Sequence, residues 1–328
     1  ALAVDPRART VDLDDGDSHS YDALLVATGC RNRRLTSPGA GLEGVLDLRT
    51  AADADRIREV MAPGARAVVV GMGFIGCEVA ASLVESGVSV TALEPLPVPL
   101  HRALGEEIGR VVAGIHRDRG VDLVTGEGVA AFEGAERVEA VVTTGGRRIG
   151  CDFAVVGVGV EPVTGFLDGS GVAVDNGVVI DELCRSSADG IFAAGDVARH
   201  HHPLAGGHIR VEHWQNALKQ GQAAARSMMG RGAPYDDVHW FWSDQYEHNI
   251  QYAGFPPASG RWDGIVVRGS LEERSFVAFF LEGGRVRAAV ALDRGRDLRR
   301  VMPLIKAGAV VAPDLLRDES VDLRKVLS

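Results

Sequence analysis

Three glycines in the order Gly71-x-Gly73-x-x-Gly76 constrain this chain more than any other feature, because of what flanks them. Residues 65–70 form a β-branched apolar run of strand length, and residues 76–86 carry helical apolar spacing, so the glycines occupy a strand-to-helix turn. Gly71 permits the tight turn, Gly73 lets backbone approach a pyrophosphate, and Gly76 lets the helix pack on the strand. The helix N-terminus, with Phe74 and Ile75 in its loop, offers N–H groups to phosphate oxygens. The next strand, 88–93, ends in Glu94, near the ~20-residue offset at which a carboxylate accepts both ribose hydroxyls and repels a 2′-phosphate. The reading is NAD(H) in preference to its phosphorylated form. A purely structural glycine turn is the plain alternative, and it leaves the strand, the helix and the acid unexplained.

The alternation continues on both sides. A helical pattern at 53–60 precedes the glycine turn; a helix at 104–119, a strand at 121–124, a hairpin at 137–143 and 147–149, and a buried strand at 153–157 follow it. Gly159 lies just beyond that strand and joins the candidate cofactor loop. Strand–helix alternation of this kind predicts an α/β fold with a parallel sheet. A Gly- and Pro-rich stretch at 36–44 reads as a linker.

Outside this unit, YDALLVATG at 21–29 is a short buried strand ending at Thr28 and Gly29, and GIFAAGD at 190–196 is another, ending at Gly195 and Asp196 with Val197 after them. The whole NAD unit is inserted between the two strands, which implies two nested dinucleotide-binding units. Asp196 can then reach a ribityl hydroxyl beside a helix N-terminus. A helix at 215–229 follows. After Pro234 the character changes to aromatics and alternating runs at 265–267, 276–281 and 286–292, with helices at 297–307 and 322–327, which predicts a separate α+β domain. The expected boundaries are 1–37 and 161–236 for the two parts of the FAD unit, 38–160 for NAD, and 237–328 for the C-terminal domain.

The chain has 328 residues, enough for about two domains, and a net charge of −10 that offers no basic field for nucleic acid or an anionic membrane. No apolar run approaches the ~20 residues that span a bilayer. The four cysteines have no metal-ligand or paired spacing, which fits a reducing cytoplasm.

Together these residues resemble the FAD-dependent, NADH-using ferredoxin reductases of bacterial oxygenase systems, within the larger group of two-dinucleotide-domain flavoproteins. The resemblance is carried by 21–29, by 71–76 with Glu78, by Gly195-Asp196-Val197, and most specifically by RVEHWQNA at 210–217 and WFWSDQY at 240–246. It implies that Glu78 and Trp214 border the nicotinamide beside the flavin and that Asp196 holds the ribityl chain. It also implies that the C-terminal domain covers the flavin and forms the electron exit. Thr28, Gly29, Gly195, Asp196 and Val197 are then the FAD set, and Gly71, Gly73, Phe74, Ile75, Gly76, Glu94 and Gly159 the NAD set. The implied reaction passes hydride from NADH to FAD and single electrons to a [2Fe-2S] ferredoxin serving a cytochrome P450 or ring-hydroxylating oxygenase. No general acid or base is assigned. Members of that family begin with a strand, a glycine turn and a helix for the FAD adenosine, and this sequence starts after such a unit, so it reads as lacking that unit. Asn32 and His213 stand where the family usually has Pro and Ser or Thr. The alternatives are a related flavin-dependent NADH oxidase or disulfide reductase, and a flavin-free NADH-binding scaffold.

Other features read more plainly. His200, His201, His202 and His208 read as a solvated loop, since adjacent histidines cannot converge on one ion. Cys77 reads as a small buried hydrophobe in place of a reactive thiol. Arg294, Arg296, Arg299 and Arg300 read as a solvated basic face, with docking of an acidic ferredoxin as the functional alternative. Of Trp240 and Trp242, at least one is expected in the core.

Overall fold

The computed structural model describes residues 1–257 and 261–326. At its centre is a five-stranded, wholly parallel sheet in the order Val45–Asp47, Phe153–Val156, Arg66–Val70, Ser89–Glu94 and Asp122–Thr125. Three helices accompany it: α1 (Ala51–Val60), α2 (Phe74–Glu85) and α3 (His101–Asp118), the last kinked at Gly105. Helix α1 begins with a capping box in which Thr50 and Asp53 satisfy each other's backbone. This is the sheet that the alternating pattern predicts. The central strands are apolar without alternation because both faces are covered, so Val68, Val69 and Val70 are all buried.

The second unit is assembled from both ends of the insertion. Leu24–Val26 pairs in parallel with Ile191–Ala193, which sets Thr28-Gly29 and Gly195-Asp196 at neighbouring strand ends. A short ladder between Cys30–Asn32 and Val160–Pro162 ties this unit to the NAD unit. Helix α4 (Trp214–Met228) follows, one residue from the expected start.

The C-terminal region is a five-stranded antiparallel sheet in the order Trp240–Gln245, His248–Gly254, Arg285–Leu292, Ser275–Glu282 and Gly264–Ser270, with α5 (Gly295–Ala307) on one face. Its first strand is the one along which Trp240 and Trp242 alternate, while its second and the Val129–Glu133 strand of the NAD unit go beyond the strands expected from sequence. In place of a helix at 322–327 there is a single 3-10 turn, Leu323–Lys325, started by Asp322, whose side chain accepts from the Arg324 N–H; Leu327 lies outside the described residues.

The two faces of this sheet belong to different cores. Val277, Phe279, Ala289 and Ala291 pack on α5 with Leu298, Val301 and Leu304. The opposite face, with Ile250, Tyr252, Phe276, Phe280 and Val290, joins Cys77, Leu83, Ile108 and Val112 of α2 and α3 in one continuous cluster. The α+β region is therefore packed directly against the outer face of the NAD unit.

The buried guanidinium of Arg268 secures the chain's C-terminal segment. It donates to the carbonyls of Leu316, Asp318, Glu319 and Val321 at 3.4, 2.7, 3.0 and 2.9 Å. Arg268→Met leaves these acceptors unpaired, and urea denaturation should show a loss of about 3 kcal/mol or more, with residues 313–326 becoming the first site of limited proteolysis. Unchanged stability and cleavage would refute this anchoring.

Candidate active site

The glycine turn shows why each glycine is needed. At Gly71, φ is +89° and a Cβ would come 2.6 Å from the Gly157 carbonyl oxygen, so the close approach of two parallel strand ends forbids a side chain. At Gly76 a Cβ would fall 1.8 Å from the Gly71 oxygen. Gly73 differs from both: its φ is ordinary and a Cβ would meet nothing within 4 Å. Its open side faces a cleft of about 480 Å³ lined by Gly71, Gly73, Phe74, Glu94, Gly157 and Gly159.

Glu94 closes this loop from beneath. It is buried, and its two carboxylate oxygens accept from the backbone N–H of Met72 at 2.8 Å and of Leu96 at 2.9 Å. A carboxylate has about four acceptor positions, so two remain for ribose hydroxyls. Cys77 is fully buried and its thiol is pushed well up by burial, in agreement with packing and against a reactive thiolate.

The second candidate set gathers around Asp196. Its side chain is mostly buried, and Arg49 donates to it at 3.4 Å. Arg210 reaches the Asp196 carbonyl at 3.2 Å, Gln220 accepts from the Gly195 N–H at 2.8 Å, and Thr28 Oγ donates to the Val163 carbonyl at 2.7 Å. Gly29 and Gly195 both have positive φ, at +66° and +78°. Val197 is fully buried, so it contributes packing in the turn. Arg49 lies 147 residues from Asp196, and Gln220 holds only a backbone N–H, so neither carries a local signal in the sequence.

Between the units lies a cleft of about 760 Å³, within the usual range for ligand sites. Phe74 of α2, Arg210, His213, and Phe241 and Tyr252 of the C-terminal sheet line it. Phe241 joins its walls, standing edge-on to Phe74 at 4.7 Å and tilted against His213, the N-cap of α4, at 4.1 Å. Arg210 Nε, His213 Nδ1 and both ring nitrogens of His239 are buried there without a partner. Orphaned polar atoms on an otherwise aromatic wall suit a flat ring system with hydrogen-bonding edges, as FAD has.

Glu78 and Trp214 both meet the Trp240–Gln245 strand, at its neighbouring residues Ser243 and Trp242. Glu78 is half-buried and accepts from Ser243 Oγ at 2.5 Å, while Trp214 is 67% exposed and meets Trp242, itself 42% exposed, at 6.4 Å between ring centroids. Trp240 packs on the α5 core, as expected of one member of that pair.

One expectation needs correction. His200 and His202 are not in a solvated loop but in the central strand of a small sheet, Ala198–His202, whose alternation buries both against Tyr235, His239 and Phe255. Among the described residues no group of His, Cys, Asp and Glu side chains is arranged to hold a metal ion. The arginine run keeps Arg296, Arg299 and Arg300 exposed, as a solvated face requires, while Arg294 pairs with Asp297 and Glu319, and Arg300 with Asp297.

Comparison with known proteins agrees with this geometry. Residues 1–221 match the family model described as pyridine nucleotide-disulphide oxidoreductase, and 240–327 match the reductase C-terminal model. The chain is 39% identical over 327 residues to the ferredoxin–NAD(+) reductase component of the anthranilate 1,2-dioxygenase system of Burkholderia cepacia, covering 99% of this chain and 80% of that protein. Rhodocoxin reductase of Rhodococcus erythropolis is 36% identical, with coverages of 100% and 76%. The crystal structure of the ferredoxin reductase for the CYP199A2 system of Rhodopseudomonas palustris superposes with a TM-score of 0.95 at 33% identity, covering 100% of this chain and 80% of that one. The chain belongs to the pyridine nucleotide-disulphide oxidoreductase family, and its relatives are NADH-linked ferredoxin reductases of oxygenase systems, as the sequence resemblance implied.

Two predictions follow from these geometries. Gly73→Ala should leave thermal stability within about 0.5 kcal/mol and weaken NADH binding roughly tenfold or more, whereas Gly76→Ala should destabilise the NAD unit outright. Equal effects in calorimetry and NADH titration would contradict the steric assignment. Burial also holds His200 down at about 3, His202 and His213 at about 4 and His239 at about 2, so they are neutral when folded. The unfolded chain binds protons below about pH 6.5 that the folded state refuses, so stability falls as pH drops from there towards 4, by up to about 1.4 kcal/mol per pH unit for each histidine. Urea midpoints that do not fall between about pH 7 and pH 5 would refute this.

Proposed function

We propose that the chain is the NADH-oxidising, ferredoxin-reducing flavoprotein of an oxygenase system, working in the cytoplasm, with residues 1–37 and 161–236 as its FAD unit, 38–160 as its NAD unit and 237–328 as its reductase domain. The observation that carries the reading is the aromatic cleft with orphaned buried polar atoms, set between a complete NAD turn and the C-terminal sheet. Four buried free cysteines suit a reducing compartment, and no helix among the described residues is long and apolar enough to cross a membrane.

Gly71, Gly73, Phe74, Ile75, Gly76, Glu94 and Gly159 hold NADH, with Gly73 admitting the pyrophosphate and Glu94 the ribose. Thr28, Gly29, Gly195, Asp196 and Val197 form the FAD side, and Arg49 and Arg210 hold Asp196 in place. A bound flavin supplies the exchange between one hydride and two single electrons that an iron–sulfur acceptor requires. The protein's own work is to hold the nicotinamide in register with Glu78 and Trp214 and to exclude water with Phe74 and Phe241. The relatives' partners, putidaredoxin in one solved complex with its reductase, point to a [2Fe-2S] ferredoxin as acceptor and, through it, to a cytochrome P450 or ring-hydroxylating oxygenase. Trp214 and Trp242, exposed and adjacent, form the electron exit.

Glu78→Gln and Trp214→Ala should each lower kcat/KM for NADH-dependent ferredoxin reduction roughly ten- to a hundredfold while leaving bound flavin in place. Stopped-flow kinetics with the flavin-loaded protein measure this, and wild-type rates in both variants would overturn these roles.

A further inference from the structure

The Glu78 carboxylate is the last member of a buried chain of hydrogen bonds running across the boundary between the NAD unit and the C-terminal sheet. Ser243 Oγ meets Glu78 Oε1 at 2.5 Å, Gln245 Nε2 meets Ser243 Oγ at 3.1 Å, His116 Nε2 meets Gln245 Oε1 at 3.2 Å, and the Tyr246 hydroxyl meets His116 Nδ1 at 3.1 Å. Ser243, Gln245 and His116 are all essentially inaccessible to solvent, and Tyr246 closes the chain at the Trp240–Gln245 hairpin, with Arg119 over its ring.

The chemistry of each group fixes the direction of every bond. An ionised carboxylate only accepts, so Ser243 donates its hydroxyl hydrogen to Glu78, and its oxygen is left to accept from the Gln245 amide nitrogen. The Gln245 oxygen can only accept, so His116 carries its proton on Nε2. Its Nδ1 then accepts from Tyr246. Burial holds His116 down at about 4, so the ring is neutral and can play both parts. All four dipoles therefore point at Glu78, and bonds aligned in this way polarise one another.

We propose that Ser243, Gln245, His116 and Tyr246 are positioning residues for Glu78, a one-directional hydrogen-bond chain through which the C-terminal sheet keeps that carboxylate ionised and aimed. The proposal rests on the reading above that Glu78 borders the nicotinamide. Burial, with the like charge of Asp244, holds the Glu78 carboxyl above the usual carboxylate range, and the Ser243 bond is what opposes that rise and limits it. Cys77, next to Glu78 in α2, faces the core as a neutral thiol and supplies no counter-charge.

Carbon-13 NMR of the glutamate carboxyls, with the Glu78 signal identified by its loss in Glu78→Gln, reads the ionisation directly and without turnover. Ser243→Ala should raise the Glu78 titration midpoint by about one pH unit. Gln245→Leu, which touches no atom of Glu78, should raise it by about half as much, and Tyr246→Phe by a few tenths of a unit. A merely structural Gln245 or Tyr246 would leave the midpoint where it is. Should the buried Gln245→Leu variant fail to fold, Tyr246→Phe removes a single hydroxyl and still decides the matter. A midpoint that moves in Ser243→Ala but stays fixed in Tyr246→Phe overturns the proposal. NADH affinity, measured separately by fluorescence, tests the other reading: unchanged binding and reduction in Glu78→Gln would remove Glu78 from the nicotinamide site while leaving the midpoint shifts to report on the chain.

Discussion

The structure depends on one packing contact, in which the outer face of α2 and α3 shares a continuous apolar core with the C-terminal antiparallel sheet. Helices α2 and α3 are not left to solvent on their outer side: Cys77, Leu83, Ile108 and Val112 belong to the same buried cluster as Ile250, Tyr252, Phe276 and Phe280. Burial of this kind is non-directional, so it fixes separation more than register. Register comes from the polar and aromatic contacts at its edge: Phe241 between Phe74 and His213, and Ser243 on Glu78. The cleft between the units is therefore a consequence of the core, and its walls come from three different parts of the chain.

Charge is handled sparingly within that boundary. Buried histidines are neutral, thiols are protonated, and the carboxylates that remain are held by backbone N–H groups, a hydroxyl or an arginine. An interior of this kind suits hydride and electron transfer, which need orientation and exclusion of water more than proton donors.

Much of this was legible in the residues. The glycine turn, the valine strand and Glu94 announced the NAD unit because their constraints are local: a positive φ at Gly71, a 1.8 Å encounter at Gly76, and an acid one strand away. The nesting of the second unit was readable from the order of ATG and GD turns, since strand ends must meet for that order to make sense. Local signals failed where burial is decided by distant neighbours. The triple histidine resembled a loop because its strand alternation is visible only once Tyr235, His239 and Phe255 cover one face. Arg49 and His116 carried no signal because these partners lie more than 100 residues away, as with Arg49 and Asp196 at a separation of 147, and Gln220 carried none because what it holds is a backbone N–H, that of Gly195. In the C-terminal sheet the first strand showed in the alternation of Trp240 and Trp242, whereas the second, His248–Gly254, did not stand out.

The central claim is that this chain brings NADH and a bound flavin together at the junction of its units. The most direct measurement is an anaerobic titration of the FAD-loaded protein with NADH, followed through the visible flavin absorption. The account predicts that the band bleaches stoichiometrically and returns when an oxidised [2Fe-2S] ferredoxin is added. A flavin band that persists in excess NADH, in protein shown to bind both molecules, would contradict it.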